Sequence, residues 1–417
     1  MSYLFNDLVG FKGDAIDAFN RLKVSEPFTL FDSQHRYQEN DKWSTITATG
    51  GTHSFNSNDS TITMRVGLTA GSLVYRETKR VFPYQPGKSL LVLNTFAMNT
   101  PQENLRQRIG YFGEKNGVYF EREGLTAYIT LRSNVTGTVD SITRRIPQSS
   151  WNGDTFDGNG ASGRTLSATA ANIFWTDIEW LGVGDVRTGF FVDGKPVIAH
   201  TFHNDNLNPT TYMTTATLPC RYEIESIGTG ITGAGITGAS LRQICSSVMS
   251  EAGYQGFSRR YNVSTGVFPK IGISTTSFIP IVSIRLPQDR LDSVIVPSNL
   301  SALITSSNQA AGSRAVEYRI LLNGVLTGET WNKHYNGNVE YGLSATAVTG
   351  GYDIIGGFFD STGALTIASI NDFNFQLGRT QTSITGATGT SDVFTVAMRA
   401  FQTSTDISAD LSWFEII

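Results

Sequence analysis

Asp177 and Glu179 stand two residues apart in the stretch IFWTDIEWLG, Ile173 to Gly182, with Trp175 two residues ahead of them. In an extended chain residues i and i+2 project from one face, and a rise of about 3.3 Å per residue spaces the two carboxylates about 6.6 Å apart along the strand. A carboxylate can move a proton or accept hydrogen bonds from hydroxyls, and an indole can stack on a sugar. Trp175, Asp177 and Glu179 are therefore the candidate glycan-contacting residues, and no catalytic residue is assigned. The plainer reading places the carboxylates on a polar sheet face, paired with Arg187 or Lys195.

Other constellations are weaker. His200, His203 and Asp205 carry zinc-type donors, but no further histidine lies nearby to complete a site. Asn152, Asp154, Asp157 and Asn159 supply oxygen donors in a Gly-rich loop without the spacing or closing glutamate of a calcium loop. GTGITG, Gly228 to Gly233, fits a dinucleotide fingerprint in letters only, because Gly and Thr follow it where a helix is required. No metal and no cofactor is expected.

The elements that must position Trp175, Asp177 and Glu179 can be read around them. Ile173 to Leu181 alternates as a strand, Gly182 to Asp185 turns the chain, and Val186 to Val192 alternates again. Asp193-Gly194 is a hairpin dipeptide, and Pro196 to Phe202 returns. So apolar a meander needs a second sheet to pack against.

The same signals recur along the chain. Ile62, Met64 and Val66 alternate, as do Val393 to Met398 and Leu411 to Ile416, while Asn116-Gly117 and Asn323-Gly324 read as further hairpin turns. Leu241 to Val248 reads as a strand or a short helix, and Gln148 to Gly163 as a surface loop. Helical spacing is confined to the region from Tyr3 to Asn20. The expected fold is all-β: two antiparallel, jelly-roll-like β-sandwich domains with a short, partly helical N-terminal arm. The boundaries are an arm over 1–45, a concanavalin-A-like sandwich over 46–250, a linker over 251–268 and a second sandwich over 269–417. The apolar Leu4, Phe5, Leu8, Phe11 and Phe19 of the arm predict docking on a neighbouring subunit.

Composition narrows the partners. Only 16% of the 417 residues are charged and the net charge is -4, so there is no basic footprint for nucleic acid. No apolar run is long enough to span a membrane and the first residues lack a signal peptide's pattern, so neither membrane binding nor secretion is expected. Cys220 and Cys245 make no disulfide framework and are expected to be buried thiols.

DAFNRLKVSEPFTLFDSQHRY, Asp17 to Tyr37, resembles a signature of large structural proteins of tailed phages, especially those of aquatic bacteria, and of some large DNA viruses. The likeness continues through YQPGKS at Tyr84, QRIGYF at Gln107, WNGD at Trp151, EWLGVGDVR at Glu179, PCRYEI at Pro219 and QICSSVMSE at Gln243, covering roughly the first 250 residues. It implies a virion structural protein, made in the host cytoplasm and exposed as a capsid decoration, fibre or tail-associated component. Its partners would be other virion proteins and copies of itself, a trimer slightly ahead of a dimer. The alternative role is a glycan-binding adhesin that contacts host surface glycans.

WTDIEWLG also resembles the catalytic strand of concanavalin-A-like jelly-roll glycosidases, whose three acidic positions alternate with apolar ones. Asp177 and Glu179 match the second and third, but Trp175 occupies the position of the nucleophile. Retaining hydrolysis needs two carboxyl groups about 5 to 5.5 Å apart, so the resemblance implies no working nucleophile. A glycosidase is the third, less favoured reading.

Overall fold

The computed structural model describes residues 26–233, 235–252, 259–273, 276–305, 315–361, 365–367, 375–380, 389–401 and 405–416. The arm residues Leu4 to Phe19 lie outside them. Among the described residues there is no α-helix, and one 3-10 turn, Gln148–Ser150. The all-β expectation holds.

Two sheets face each other over residues 27–251. One runs, in spatial order, Lys195–Phe202, Val186–Val192, Asn172–Ile178, Leu90–Ala97, Ala239–Glu251, Thr61–Val66 and Thr52–Asn56, with Pro27–Ser33 also paired to Ala239–Glu251. The other runs Arg145–Pro147, Thr126–Arg132, Gly117–Glu123, Leu105–Phe112, Cys220–Ser226, Leu73–Thr78 and Trp43–Ala48. Every pairing in both is antiparallel. Alternation sends one set of side chains into the shared core: Phe120 of the second sheet meets Phe96, Phe174 and Phe190 of the first at ring-centroid distances of 6.0, 5.9 and 5.2 Å. Such aromatic pairs add about 0.5–1.5 kcal/mol each beyond burial.

Residues 259–416 form a second pair of facing sheets. Arg259–Ser264, Thr405–Ile416, Val294–Ile304 and Leu365–Ile367 make one, with Lys270–Ile273 also on Thr405–Ile416. Asn332–Lys333, Glu340–Gly342, Ile279–Arg285, Val393–Ala400, Ala315–Leu322 and Tyr352–Asp360 make the other. Ile407, Leu411 and Trp413 from one sheet and Phe394 and Val396 from the other are buried together.

Several local readings need correction. Pro27–Ser33, placed in the arm, is a sheet strand with Phe31 in the first core, because pairing with Ala239–Glu251 satisfies its backbone. Arg259–Ser264, placed in the linker, pairs with the C-terminal strand and buries Val263. Of the two readings of Leu241 to Val248, strand or short helix, the strand holds: it lies within the 13-residue strand Ala239–Glu251. Asn323-Gly324 joins no hairpin: the following strand Val325–Thr327 pairs with Ala347–Thr349, away from Ala315–Leu322. By contrast, Asn116-Gly117 does end a hairpin, between the paired strands Leu105–Phe112 and Gly117–Glu123, across a loop of residues 113–116 in which the Gly113 N–H donates to the Asn116 carbonyl at 2.9 Å. Asp193 and Gly194 both take positive φ, 50° and 78°, as a two-residue hairpin between Val192 and Lys195 requires.

The two sandwiches touch through the segment at residues 375–380. Arg379 N–H donates to the Lys79 carbonyl at 2.8 Å, Gln376 Nε2 donates to the Val81 carbonyl at 3.2 Å, and the buried Arg379 guanidinium pairs with buried Glu77.

Candidate functional site

Asn172–Ile178 is an interior strand, paired with Leu90–Ala97 on one side and Val186–Val192 on the other. Phe174 and Ile178 face the core, so Trp175 and Asp177 face outward. Trp175, opposite Leu93 and Gly189, is nonetheless only 6% exposed, and its buried indole Nε1 has no hydrogen-bond partner. Asp177 lies directly opposite Arg187 and is ion-paired with it. The strand ends at Ile178, and Glu179 is the exposed first residue of the turn that follows. The three candidates thus occupy three environments: one ring covered, one carboxylate neutralised, one carboxylate open to solvent.

The turn after the strand gathers groups that the chain scatters. Leu181 and Gly182 take positive φ, and the Gly184 N–H closes back on the Trp180 carbonyl at 2.7 Å. Tyr84 reaches in from another loop: its hydroxyl accepts from the Leu181 N–H at 3.1 Å, and its ring meets Trp180 edge-on at 5.8 Å. The segment after Phe202 closes the other side. Tyr212 N–H donates to the Gly182 carbonyl at 2.9 Å, Asn204 Nδ2 donates to the Gly184 carbonyl at 2.7 Å, and His203 Nδ1 lies 2.9 Å from Asp185 Oδ2. Burial, followed by the nearby Tyr84 and Asp185, pushes the Tyr212 hydroxyl pKa well up and keeps it protonated. The Trp180 Nε1, the Tyr212 hydroxyl and Asp185 Oδ1 are buried without a hydrogen-bond partner. Three aromatic side chains, two carboxylates, a histidine and unspent polar atoms at the end of one strand are the groups with which proteins hold hydroxylated ligands.

The remaining candidates are not brought together. His200 is buried and its Nδ1 accepts from the Asn152 N–H at 3.2 Å, whereas His203 is engaged with Asp185. Asp154 Oδ1 accepts from the Phe156 N–H at 2.8 Å and Asp157 Oδ1 from the Asn159 N–H at 2.9 Å, so both shape their own loop. Among the described residues no three His, Cys, Asp or Glu side chains are grouped to hold a metal ion. Gly228 to Gly233 is a loop between Cys220–Ser226 and Ala239–Glu251. Cys220 is buried as expected, but Cys245 is exposed, at a bulge where the register shifts between Gln243 and Ser246.

What the reading of single strands missed is the outer face of the second sheet. In register across four strands lie Tyr75, Glu223, Arg108 and Glu121, and beside them Glu77 and Arg221. Arg108 lies 2.8 Å from Glu121 and 3.2 Å from Glu223; Arg221 lies 3.0 Å from Glu223 and stacks over Tyr75 at 4.0 Å. These side chains are buried despite their charge. Arg108 and Arg221 outweigh the cost of burial and hold the Glu223 carboxyl down to about 2. The signal was present in CRYEIES, where charged and apolar residues alternate, and in the Arg and Glu residues set within the otherwise apolar strands LVYRET, LRQRIGYF and GVYFERE.

No family model and no curated protein matches the chain. Among solved structures it is similar to the CBM2 module of the evolved Dit of Lactobacillus casei BL23 phage J-1, at 7% identity and a TM-score of 0.34, over 56% of this chain and 100% of that one. It is similar to peanut lectin at 12% identity and a TM-score of 0.33, over 55% and 100%. It is also similar to the endo-β-1,4-glucuronan lyase of Trichoderma reesei at 13% identity and a TM-score of 0.35, over 53% and 95%.

Proposed function

We propose that this chain is a non-enzymatic structural component of a tailed-phage-like virion that holds glycans at the turn around Trp180. The observation that carries the glycan half is the Tyr84–Trp180 ring pair beside Glu179 and Asp185. The non-enzymatic half rests on the state of the acidic strand. Asp177 is held by Arg187, and a covered Trp175 stands where hydrolysis would require a nucleophile. The virion half rests on the resemblance of Asp17 to Tyr37 and the six later segments, and on broad antiparallel sheets with few surface charges, which suit assembly into a homo-oligomer, a trimer ahead of a dimer.

Mass spectrometry of purified particles with copy-number counting tests the virion assignment: hundreds of copies fit a capsid decoration, a few to some tens a tail or fibre, and absence refutes it. A glycan array read with wild type and Trp180→Ala tests the binding: signal on wild type that falls at least tenfold in the variant is expected. The glycosidase reading gains only if wild type releases sugar from host polysaccharide and Glu179→Gln does not.

A further inference from the structure

We infer that Arg122 and Gln107 form a carboxylate-binding site at the rim of the first sandwich, for a carboxylate that is either free or borne by a uronic-acid residue. The two residues lie directly opposite each other in Gly117–Glu123 and Leu105–Phe112, which places their Cβ atoms about 4.5–5.5 Å apart. Both face inward, because the next pair on that face, Ile109 opposite Phe120, belongs to the core. The turn at Gly124 and Leu125 follows at once and Leu125 is exposed, so the pair sits where the core ends.

Six arginines are buried among the described residues, and five of them have partners. Arg76, Arg108, Arg221 and Arg379 are ion-paired with glutamates, and Arg132 donates to the Gly113 carbonyl at 2.9 Å. Arg122, only 8% exposed, stands apart. Its Nε is enclosed without an acceptor, and burial lowers its pKa with no carboxylate near enough to offset it. The acids on its own strand, Glu121 and Glu123, lie on the opposite face, where Arg108, Arg106 and Arg145 hold them. Gln107, wholly buried, adds a second unspent donor. Its Oε1 accepts from the Asn99 N–H at 3.0 Å, which fixes the orientation of the amide, and its enclosed Nε2 has no partner. A guanidinium and an amide on one face, each with an unused N–H, match the two oxygens of a carboxylate. One negative charge also neutralises the buried cation, whereas a dianion such as sulfate leaves a surplus charge in so enclosed a place. The site is distinct from the Trp180 turn. Asn99 lies just beyond Ala97, while Ile178, before that turn, pairs with Leu90 at the other end of the same strand.

Isothermal titration of the full chain with acetate, glucuronate, glucose and sulfate at constant ionic strength tests this. Acetate and glucuronate are expected to bind, with glucose and sulfate at least tenfold weaker. Glucuronate binding more tightly than acetate identifies the carboxylate as sugar-borne, and glucuronate binding no more tightly identifies it as free. Arg122→Met is expected to weaken acetate binding at least tenfold. Gln107→Glu places a carboxylate opposite Arg122 while keeping an acceptor for Asn99. It is expected to raise the melting midpoint of the ligand-free chain and to weaken acetate binding at least tenfold. Wild-type affinity in either variant, a midpoint that Gln107→Glu does not raise, or no binding of either carboxylate overturns the site. Sulfate or glucose binding as tightly as acetate overturns the carboxylate. Trp180→Ala should leave these titrations unchanged, so this site and the glycan reading stand or fall separately.

Discussion

A buried ionisable group reports its environment through the pH at which it destabilises the fold. Glu223 titrates near 4.5 when unfolded and near 2 in the folded chain. Its contribution, about 3 kcal/mol from a shift of this size, is therefore complete above pH 4.5 and lost as pH falls toward 2. Glu223→Gln should lower stability by about 3 kcal/mol at pH 7, because Arg108 and Arg221 lose a buried partner, and should flatten the acid limb below pH 4.5 in urea unfolding. An acid limb as steep as that of wild type would contradict the pairing. Buried His200 behaves with the same sign in a different window. Burial, then Arg144 and His203, lower its pKa from 6.5 to about 4, and its Nδ1 must stay unprotonated to accept from Asn152. Stability should thus fall between pH 6.5 and 4. His200→Gln should remove part of that fall, leaving the share of His35, which burial and Arg76 lower to about 4 as well.

At the level of the strand, glycines separate a turn requirement from a packing requirement. Gly194 has a φ of +78° with open space around it, so Gly194→Ala should cost only the left-handed penalty, about 1–2 kcal/mol. Gly189 lies at the bulge where Val186–Val192 meets Lys195–Phe202, and an added Cβ would overlap the Val197 carbonyl. Gly189→Ala should therefore be the more destabilising of the two in thermal melts and should disturb the neighbouring Trp175, read as a shift in its fluorescence. Equal losses would mean that the bulge can open at little cost. The same comparison explains the hairpin readings. Asp193-Gly194 could be found locally because both strands it joins are each other's partners, whereas Asn323-Gly324 joins strands that pair elsewhere.

For the whole molecule, the contact between sandwiches rests on a buried charge. Arg379 pairs with Glu77 across 302 residues of chain and is almost wholly enclosed. Replacing it by Met leaves Glu77 buried with Arg221 as its remaining partner, a loss of about 3–5 kcal/mol for a broken buried pair. Calorimetry should then resolve two transitions, one per sandwich, in Arg379→Met, against a more cooperative melt in wild type. A melt of unchanged shape and midpoint would show that the interface does not depend on this clasp.

Period-two alternation, turn dipeptides and the lack of helical spacing were enough to establish an all-β chain and the core faces of its main strands, because each of these depends only on residues a few positions apart. Ile62 with Met64, or Leu411 with Trp413, announces a buried face whatever lies opposite. The second face of each strand was not decided this way. Asp177 meets Arg187 through a local meander and could be anticipated, but Glu223 meets Arg108 and Glu77 meets Arg379 only because distant strands and loops become neighbours in space. The Trp180 turn likewise draws Tyr84 and Tyr212 from loops on either side in sequence. Alternation states that a face exists; the tertiary order of the strands decides which charges it meets, what is buried and where a ligand has room.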